Sequence, residues 1–112
     1  MHGMAGKIRF TFSILLIPHG ESSWSAQCLE YDIAAQGSSA REAIRRFQRT
    51  VEDQIAIDGA HGRKPLEGVG RAPAVFFEAW ESALPLCDAP EGTIADVVAA
   101  EHLRVADTAI AA

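Results

Sequence analysis

Apolar and polar residues alternate between Ile8 and Leu16, and this period of two predicts a β-strand with one buried face. The turn-forming residues 18–23 follow, and a second alternation over residues 24–29 predicts the return strand of a hairpin, with Trp24, Ala26 and Cys28 on one face. A short third strand is expected from Tyr31 to Ala35. The first third of the chain is therefore predicted to form an antiparallel three-stranded meander.

A long amphipathic helix is predicted to follow the meander. Ser39 and Glu42 have the spacing of a capping box, in which each side chain satisfies a free backbone amide of the first helical turn. The helix should run to about Asp58, with Gly59 as its stop signal. Its apolar positions recur at three and four residues and should cover the meander: Ala40, Ala43, Ile44, Phe47, Val51 and Ile55.

The second half of the chain has weaker patterns. Residues 59–72 contain four glycines and no periodicity, which predicts an irregular loop that is mobile unless a partner or ligand holds it. A second helix should begin at Pro73 and end before Pro85, with a buried stripe formed by Val75, Phe76, Ala79, Trp80 and Ala83. Residues 97–110 fit either a helix or a strand; the alternation over 102–106 favours a fourth strand, at an edge.

The length and composition of the chain predict a single domain. A chain of 112 residues with 48% hydrophobic and 22% charged residues is sufficient for a single core over 1–112. We expect the core at about 7–58, the loop at 59–72 and a C-terminal extension at 73–112. The predicted fold class is α+β: an antiparallel sheet of three to four strands covered by one main helix (β-β-β-α), then a second short helix and a possible fourth strand.

The net charge and the cysteines indicate which class of partner and which cellular compartment to expect. The net charge of -5 disfavours broad nucleic-acid binding and favours a small basic partner. Cys28 and Cys87 lack metal-like spacing and are interpreted as free thiols of a reducing compartment. The apolar run 10–17 after Lys7 resembles a signal peptide only loosely, so a cytoplasmic location is expected, and no segment has the length of a membrane span.

One segment resembles a known family. The sequence WSAQCLEYDIAAQG at 24–37, followed by Ser39, Glu42, Ala43 and the amphipathic helix, resembles the HicB-like family. The resemblance covers about Ile8 to Ile55, and its most specific part is CLEYDIAAQG. It implies a partial, degraded RNase H-like fold and an antitoxin that neutralises a small basic ribonuclease toxin by covering it, usually as a dimer or tetramer. An alternative within the family is an orphan, self-assembling domain without a toxin.

The sequence departs from the family in its last third. Many HicB-like antitoxins carry a C-terminal DNA-binding module, but the stretch after Pro85 is acidic and alanine-rich, with Arg104 as its only basic residue. Operator binding is therefore not expected.

Catalysis is not expected either. RNase H-like nucleases need acidic residues in the first strand to hold two metal ions, and KIRFTFSILLIP has none, so a remnant metal-dependent nuclease is the disfavoured alternative. Glu30 and Asp32 would share a face with Cys28, but a solvated strand end beside a buried thiol is favoured over a cation site. The four histidines are interpreted as solvated residues of turns, loop and tail. No catalytic, cofactor or metal site is predicted.

Two surfaces are predicted to bind partners. Arg41, Arg45 and Arg49 recur every four residues and form a basic stripe, unless they are simply a solvated face. Residues 72–112 carry seven acidic residues against one Arg, so the region of Phe77, Trp80 and Glu81 would suit a basic toxin. In a self-assembling domain, the acidic tail would instead pair with the basic stripe of a neighbouring copy, or an exposed strand edge would be used. RNA contact through the stripe is disfavoured by the negative net charge.

Overall fold

The computed structural model describes residues 9–94 and 97–106, and the side chains of these residues apart from 87–94 and 97–98. In chain order the elements are β1 (Arg9–Pro18), β2 (Trp24–Cys28), β3 (Ala34–Gly37), α1 (Ala40–Ala60), α2 (Ala74–Ser82), β4 (Leu84–Ile94) and β5 (Val97–Val105). The strands form one sheet in the order β3-β2-β1-β5-β4. The pair β1 and β5 is parallel, and the other neighbours are antiparallel. The α+β class is confirmed.

Helix α1 covers one face of the meander, as its apolar periodicity predicts. Phe47 and Val51 of α1 are fully buried against Phe12 and Ile14 of β1 and Cys28 of β2. This face is the main core. It accounts for the even-numbered apolar positions of β1, because side chains two apart project to the same side of a strand.

The prediction that β1 buries only one face is wrong at its C-terminal end. Leu15 and Ile17 are 0% and 2% exposed, on the face opposite α1. There they form a second cluster with Leu29, Ala72 and Phe76, because α2 packs on this side of the sheet. The predicted stripe of α2 is confirmed: Phe76 and Ala83 are buried, and Val75, Ala79 and Trp80 are partly buried in this cluster.

The C-terminal region adds β5 and β4 to the sheet, and their positions differ from the prediction. The strand interpretation of 97–110 is confirmed for Val97–Val105, whereas residues 107–110 lie outside the described part of the chain. The predicted edge position is wrong, because β5 lies between β1 and β4. The prediction of a fully antiparallel sheet is also wrong, because β5 runs parallel to β1.

Strand β4 was not predicted, because prolines are unfavourable in sheets. Pro85 and Pro90 both lie within Leu84–Ile94. The strand tolerates them because it is at the edge, and its pairing with β5 shifts register between Pro85 and Cys87 and between Ala89 and Gly92.

The residues that begin and end α1 differ in part from those that the sequence predicts. The Ser39 hydroxyl accepts the Glu42 N–H at 3.1 Å, as a capping box requires. The Glu42 carboxylate accepts the N–H of Ser38 at 2.7 Å, one residue earlier than the motif predicts, and this bond lowers the pKa of Glu42. Gly59 is not the stop: α1 continues to Ala60, and the chain turns at Gly62, whose φ is 70°.

The predicted irregular loop is held by the chain itself. The buried carboxylate of Asp58 accepts the Leu66 N–H at 2.8 Å, and Leu66 is 1% exposed. Gln54 and Arg63 donate to the same carboxylate at 3.1 and 3.2 Å. Further along, the Ala72 N–H bonds the Leu29 carbonyl at 3.1 Å. The loop therefore needs no partner to be anchored.

Asp58 should make stability depend on pH in the acid range. The Leu66 N–H, helped by Gln54 and Arg63, holds the pKa of Asp58 below its ordinary value. The carboxylate's contribution is complete above about pH 4, the unfolded value, and is lost as pH falls through the lower folded-state pKa. The stability difference between the wild type and Asp58→Asn should therefore shrink on acidification, in urea titrations at neutral pH and at about pH 3. Asp53→Asn, at an exposed position, is the control; an Asp58→Asn deficit that stays constant with pH would contradict this role.

Candidate functional site

The predicted partner-binding residues lie on opposite sides of the sheet. Arg41, Arg45 and Arg49 are exposed on α1. Phe77, Trp80 and Glu81 belong to α2, which packs on the other face. The structure therefore does not join the basic stripe and the aromatic region into one site.

The basic stripe is loosely held. The Arg49 Nε lies 3.9 Å from the Asp53 carboxylate, with both side chains largely exposed. Arg46, which the predicted stripe left out, lies 3.7 Å from Glu42 and donates from Nη1 to the Gln36 carbonyl at 3.2 Å. Exposed ion pairs of this kind contribute little to stability, so a ligand could replace them at small cost. Because the arginine side chains are exposed, their guanidinium groups are accessible to such a ligand.

The aromatic residues of α2 are covered in part by arginines. The guanidinium of Arg104 lies 4.5 Å from the centre of the Trp80 ring, and its Nη1 donates to the Trp80 carbonyl at 2.8 Å. Arg71 lies over Phe77 at 4.6 Å. Both rings are half-buried, so Trp80 is a structural residue of the α2 face as well as a candidate contact.

A patch of exposed apolar side chains continues from α2 into β4. Leu84 and Leu86 are 62% and 56% exposed. A cavity of about 500 Å³ lies between Leu86, Trp80 and the sheet residues Ser13 and His102. Two exposed acidic residues of α2 precede the leucines. We call this the α2 surface, and it consists of Phe77, Glu78, Trp80, Glu81 and Leu86. Leu84 is not part of it, because it pairs with Val105, which packs on the α1 side of the sheet.

The acidic character predicted for the last third is only partly at the surface. Glu101 is 8% exposed, and the Gln48 side chain donates to both of its carboxylate oxygens at 3.1 Å. The Glu101 carboxylate therefore joins α1 to β5 and is not part of the exposed acidic surface. The side chains of Asp88 and Glu91 lie outside the described part, as do Asp96 and Asp107. Glu78 and Glu81 are exposed.

The acidic groups near Cys28 are engaged in hydrogen bonds. The Glu30 carboxylate accepts from the Ser13 N–H at 2.7 Å and from the Ser13 hydroxyl at 2.6 Å. Asp32 accepts from the Gln27 amide at 3.0 Å. Burial raises the pKa of the Cys28 thiol to about 12, so the thiol is protonated at neutral pH and is a poor nucleophile and ligand. Within residues 9–94 and 97–106, no group of three or more His, Cys, Asp or Glu side chains is placed to hold a metal ion.

Among the described residues, the histidines His19, His61 and His102 lie in different parts of the fold. The exposed rings of His19 and His61 bond the Ser25 hydroxyl at 2.8 Å and the Ile57 carbonyl at 2.9 Å. His102 was predicted in a tail but lies in β5, opposite Ser13 of β1. His2 lies outside the described residues.

A groove that no sequence pattern predicts runs along the edge strand β3. Its volume is about 700 Å³, and it spans both sides of this edge. On the α1 side it is bordered by Arg46, Arg49 and Thr50, and on the α2 side by Ile17 and Phe76. The other lining residues are His19, Ser25, Gln27, Ala34, Ala35 and Gln36. We call this the β3 groove. No local sequence pattern indicates it, because its borders come from β1, α1 and α2, which meet only in the folded chain.

No helix among the described residues is long and apolar enough to cross a membrane. Comparison of the chain with models of protein families, with curated proteins and with solved structures gives no match.

Proposed function

We propose that this protein is a non-catalytic, cytoplasmic protein-binding domain that resembles HicB-type antitoxins and neutralises a small basic ribonuclease toxin by masking it. The observation that carries the proposal is the α2 surface, where the exposed Leu86 lines a cavity with Trp80 and follows Glu78 and Glu81 along the chain. Contiguous exposed apolar residues with a polar rim are typical of protein-binding surfaces.

The chemistry of the α2 surface suits a basic protein partner. Leu86 and the Trp80 ring would supply apolar anchors, which contribute most of the binding energy at protein interfaces. Glu78 and Glu81 would attract a basic partner and speed its encounter. The arginines over Phe77 and Trp80 equal Glu78 and Glu81 in number, so the attraction would depend on the exposed positions of the two carboxylates and not on the net charge of the surface.

Two further observations support a binding role without catalysis. Both oxygens of the Glu30 carboxylate, which lies against β1, accept hydrogen bonds from Ser13. The order of the strand hairpin, the short strand β3, Gly37 and the capped α1 is the order that the HicB-like resemblance implies for a degraded RNase H-like domain. Dimers or tetramers are part of the same proposal.

The alternative is an orphan, self-assembling domain. The exposed leucines favour it as well, because a second copy would also cover them. The two functions differ in what is bound: a small basic protein, or only copies of this chain.

Capture of the tagged protein from its native cells, at low and high salt, tests the proposal. We expect a small basic protein in equimolar amount, released in part by high salt because charge contributes to contact. The double variant Glu78→Lys/Glu81→Lys should retain less of it, by about tenfold or more, whereas Glu21→Lys/Glu67→Lys, with the same charge change at exposed positions outside the α2 surface, should retain it. Recovery of this chain alone as a defined oligomer would overturn the antitoxin role and favour the alternative.

A further inference from the structure

The two outer strands of the sheet differ in their capacity to accept another strand. Strand β4 contains Pro85 and Pro90, which lack N–H donors and protect an edge from pairing. Strand β3, with the sequence AAQG, contains no proline. Among the described residues β3 pairs only with β2, so its other side is an open edge.

The hydrogen-bond alternation identifies which groups of β3 point outward. The Cys28 N–H bonds the Ile33 carbonyl at 3.0 Å, and the register pairs Ala26 with Ala35 two residues further on. Pairs that exchange bonds alternate with pairs that do not, so Ala35 faces β2 while Ala34 and Gln36 direct their N–H and C=O groups outward. The bond from Arg46 to the outward Gln36 carbonyl agrees with this assignment.

The walls of the β3 groove differ in chemistry on the two sides of the edge. Arg46 and Arg49 lie on the α1 side, and Ile17 and Phe76 lie on the α2 side. The residues that line the groove include no Asp or Glu. Glu42 is close to Arg46, but its carboxylate accepts bonds from Ser38.

We propose that the β3 groove binds an extended acidic segment of a partner protein, which adds to the sheet as a strand beside β3. Alternate side chains of such a strand point to opposite faces. Carboxylates at every second position would meet Arg46 and Arg49. The apolar side chains between them would lie on the α2 side of the edge, over Ile17 and Phe76, which are 2% and 7% exposed. The groove therefore selects an alternating apolar and acidic sequence.

A second copy of this chain fits the groove less well than an acidic segment does. Pairing of β3 with β3 of another copy would bring two sets of Arg46 and Arg49 towards each other, and facing like charges oppose pairing. The groove is separate from the α2 surface, so this proposal and the proposed function can fail independently.

Two synthetic peptides and backbone NMR test the proposal. The probes are blocked hexapeptides of alternating Val and Glu, or alternating Val and Lys, titrated to about 1 mM into the labelled full chain. We expect the Glu peptide to shift the amide signals of Ala34 and Gln36, and to bind at least about tenfold more tightly than the Lys peptide, since two guanidinium groups contribute. A Glu peptide with every amide N-methylated should lose binding, because neither of its edges can then donate to the ladder.

Charge reversal provides the matched control. Arg46→Glu/Arg49→Glu should reverse the preference in favour of the Lys peptide, whereas Arg41→Glu/Arg45→Glu, with the same charge change on the same helix but outside the groove, should leave it unchanged. The proposal is overturned if neither peptide shifts the β3 amides, if both bind equally, or if the N-methylated peptide binds as well as its parent.

Discussion

Replacing Phe47 with alanine is expected to lower the free energy of unfolding by about 3–5 kcal/mol, the largest effect of any substitution considered for this chain. The Phe47 ring is fully buried and meets the Phe12 ring edge-on, with centroids 5.6 Å apart. Phe12 in turn contacts Tyr31 at 5.9 Å. Removing Phe47 would leave a cavity at the centre of the contact between α1 and the meander.

Urea unfolding followed by far-ultraviolet circular dichroism measures this loss. Ile57→Ala is the matched control on the same helix, because Ile57 is 48% exposed and its truncation should change stability by less than about 0.5 kcal/mol. If Phe47→Ala and Ile57→Ala had similar midpoints, the α1 face would not be the main core.

Adding one methyl group at Gly37 should cost about 1–3 kcal/mol. A Cβ at this position would lie 2.7 Å from the Ala43 nitrogen and 2.9 Å from the Glu42 carbonyl carbon, both of them backbone atoms of α1. The first turn of the helix would have to move away from β3. The φ of Gly37 is not positive, so close approach and not backbone freedom explains this glycine.

Gly59→Ala is the control for Gly37→Ala. Gly59 lies within α1, and a Cβ there would meet no atom within 4 Å. Alanine should therefore leave stability unchanged or raise it by up to about 1 kcal/mol, through its higher helix propensity. The unfolding temperature should fall for Gly37→Ala and should stay the same or rise for Gly59→Ala. A Gly37→Ala variant as stable as the wild type would contradict the close packing of β3 on α1.

Local periodicity predicted the elements whose burial is one-sided. The alternation of β1 and β2 and the three-and-four spacing of α1 were sufficient for the hairpin and its covering helix. The third strand, expected from Tyr31 to Ala35, lies instead at Ala34–Gly37. The alternation between Ile8 and Leu16 predicts that Leu15 faces away from the core, because a period of two cannot show that α2, about 60 residues later, covers that side. The position of β5 beside β1 likewise depends on a long-range parallel pairing that has no local signal.

The candidate surfaces were predicted less completely than the fold. Sequence spacing identified Arg41, Arg45 and Arg49 as one stripe, but the groove is bordered by Arg46 together with Arg49. Arg46 belongs to the groove only because β3 ends next to the first turns of α1. In the same way, Trp80 was a candidate contact by type, and its contact with Arg104 arises from the packing of α2 on β5.

The two proposed surfaces would give the domain different kinds of contact. The α2 surface offers apolar anchors with acidic residues, and the β3 groove offers backbone groups with basic residues. A partner that used both would place a folded basic body on one face and an acidic strand at the sheet edge. The variants at Glu78 and Glu81 and those at Arg46 and Arg49 separate these contributions.

Inhibition of the captured partner tests the central claim most directly. The small basic protein recovered from native cells would be separated from this chain in denaturant, refolded and assayed on RNA with increasing amounts of the purified domain. The account predicts RNA cleavage by the partner alone and its loss at an equimolar amount of the domain, with the Glu78→Lys/Glu81→Lys variant required in excess. A partner that cleaves no RNA, or one that cleaves equally well when saturated with the domain, would contradict the antitoxin role.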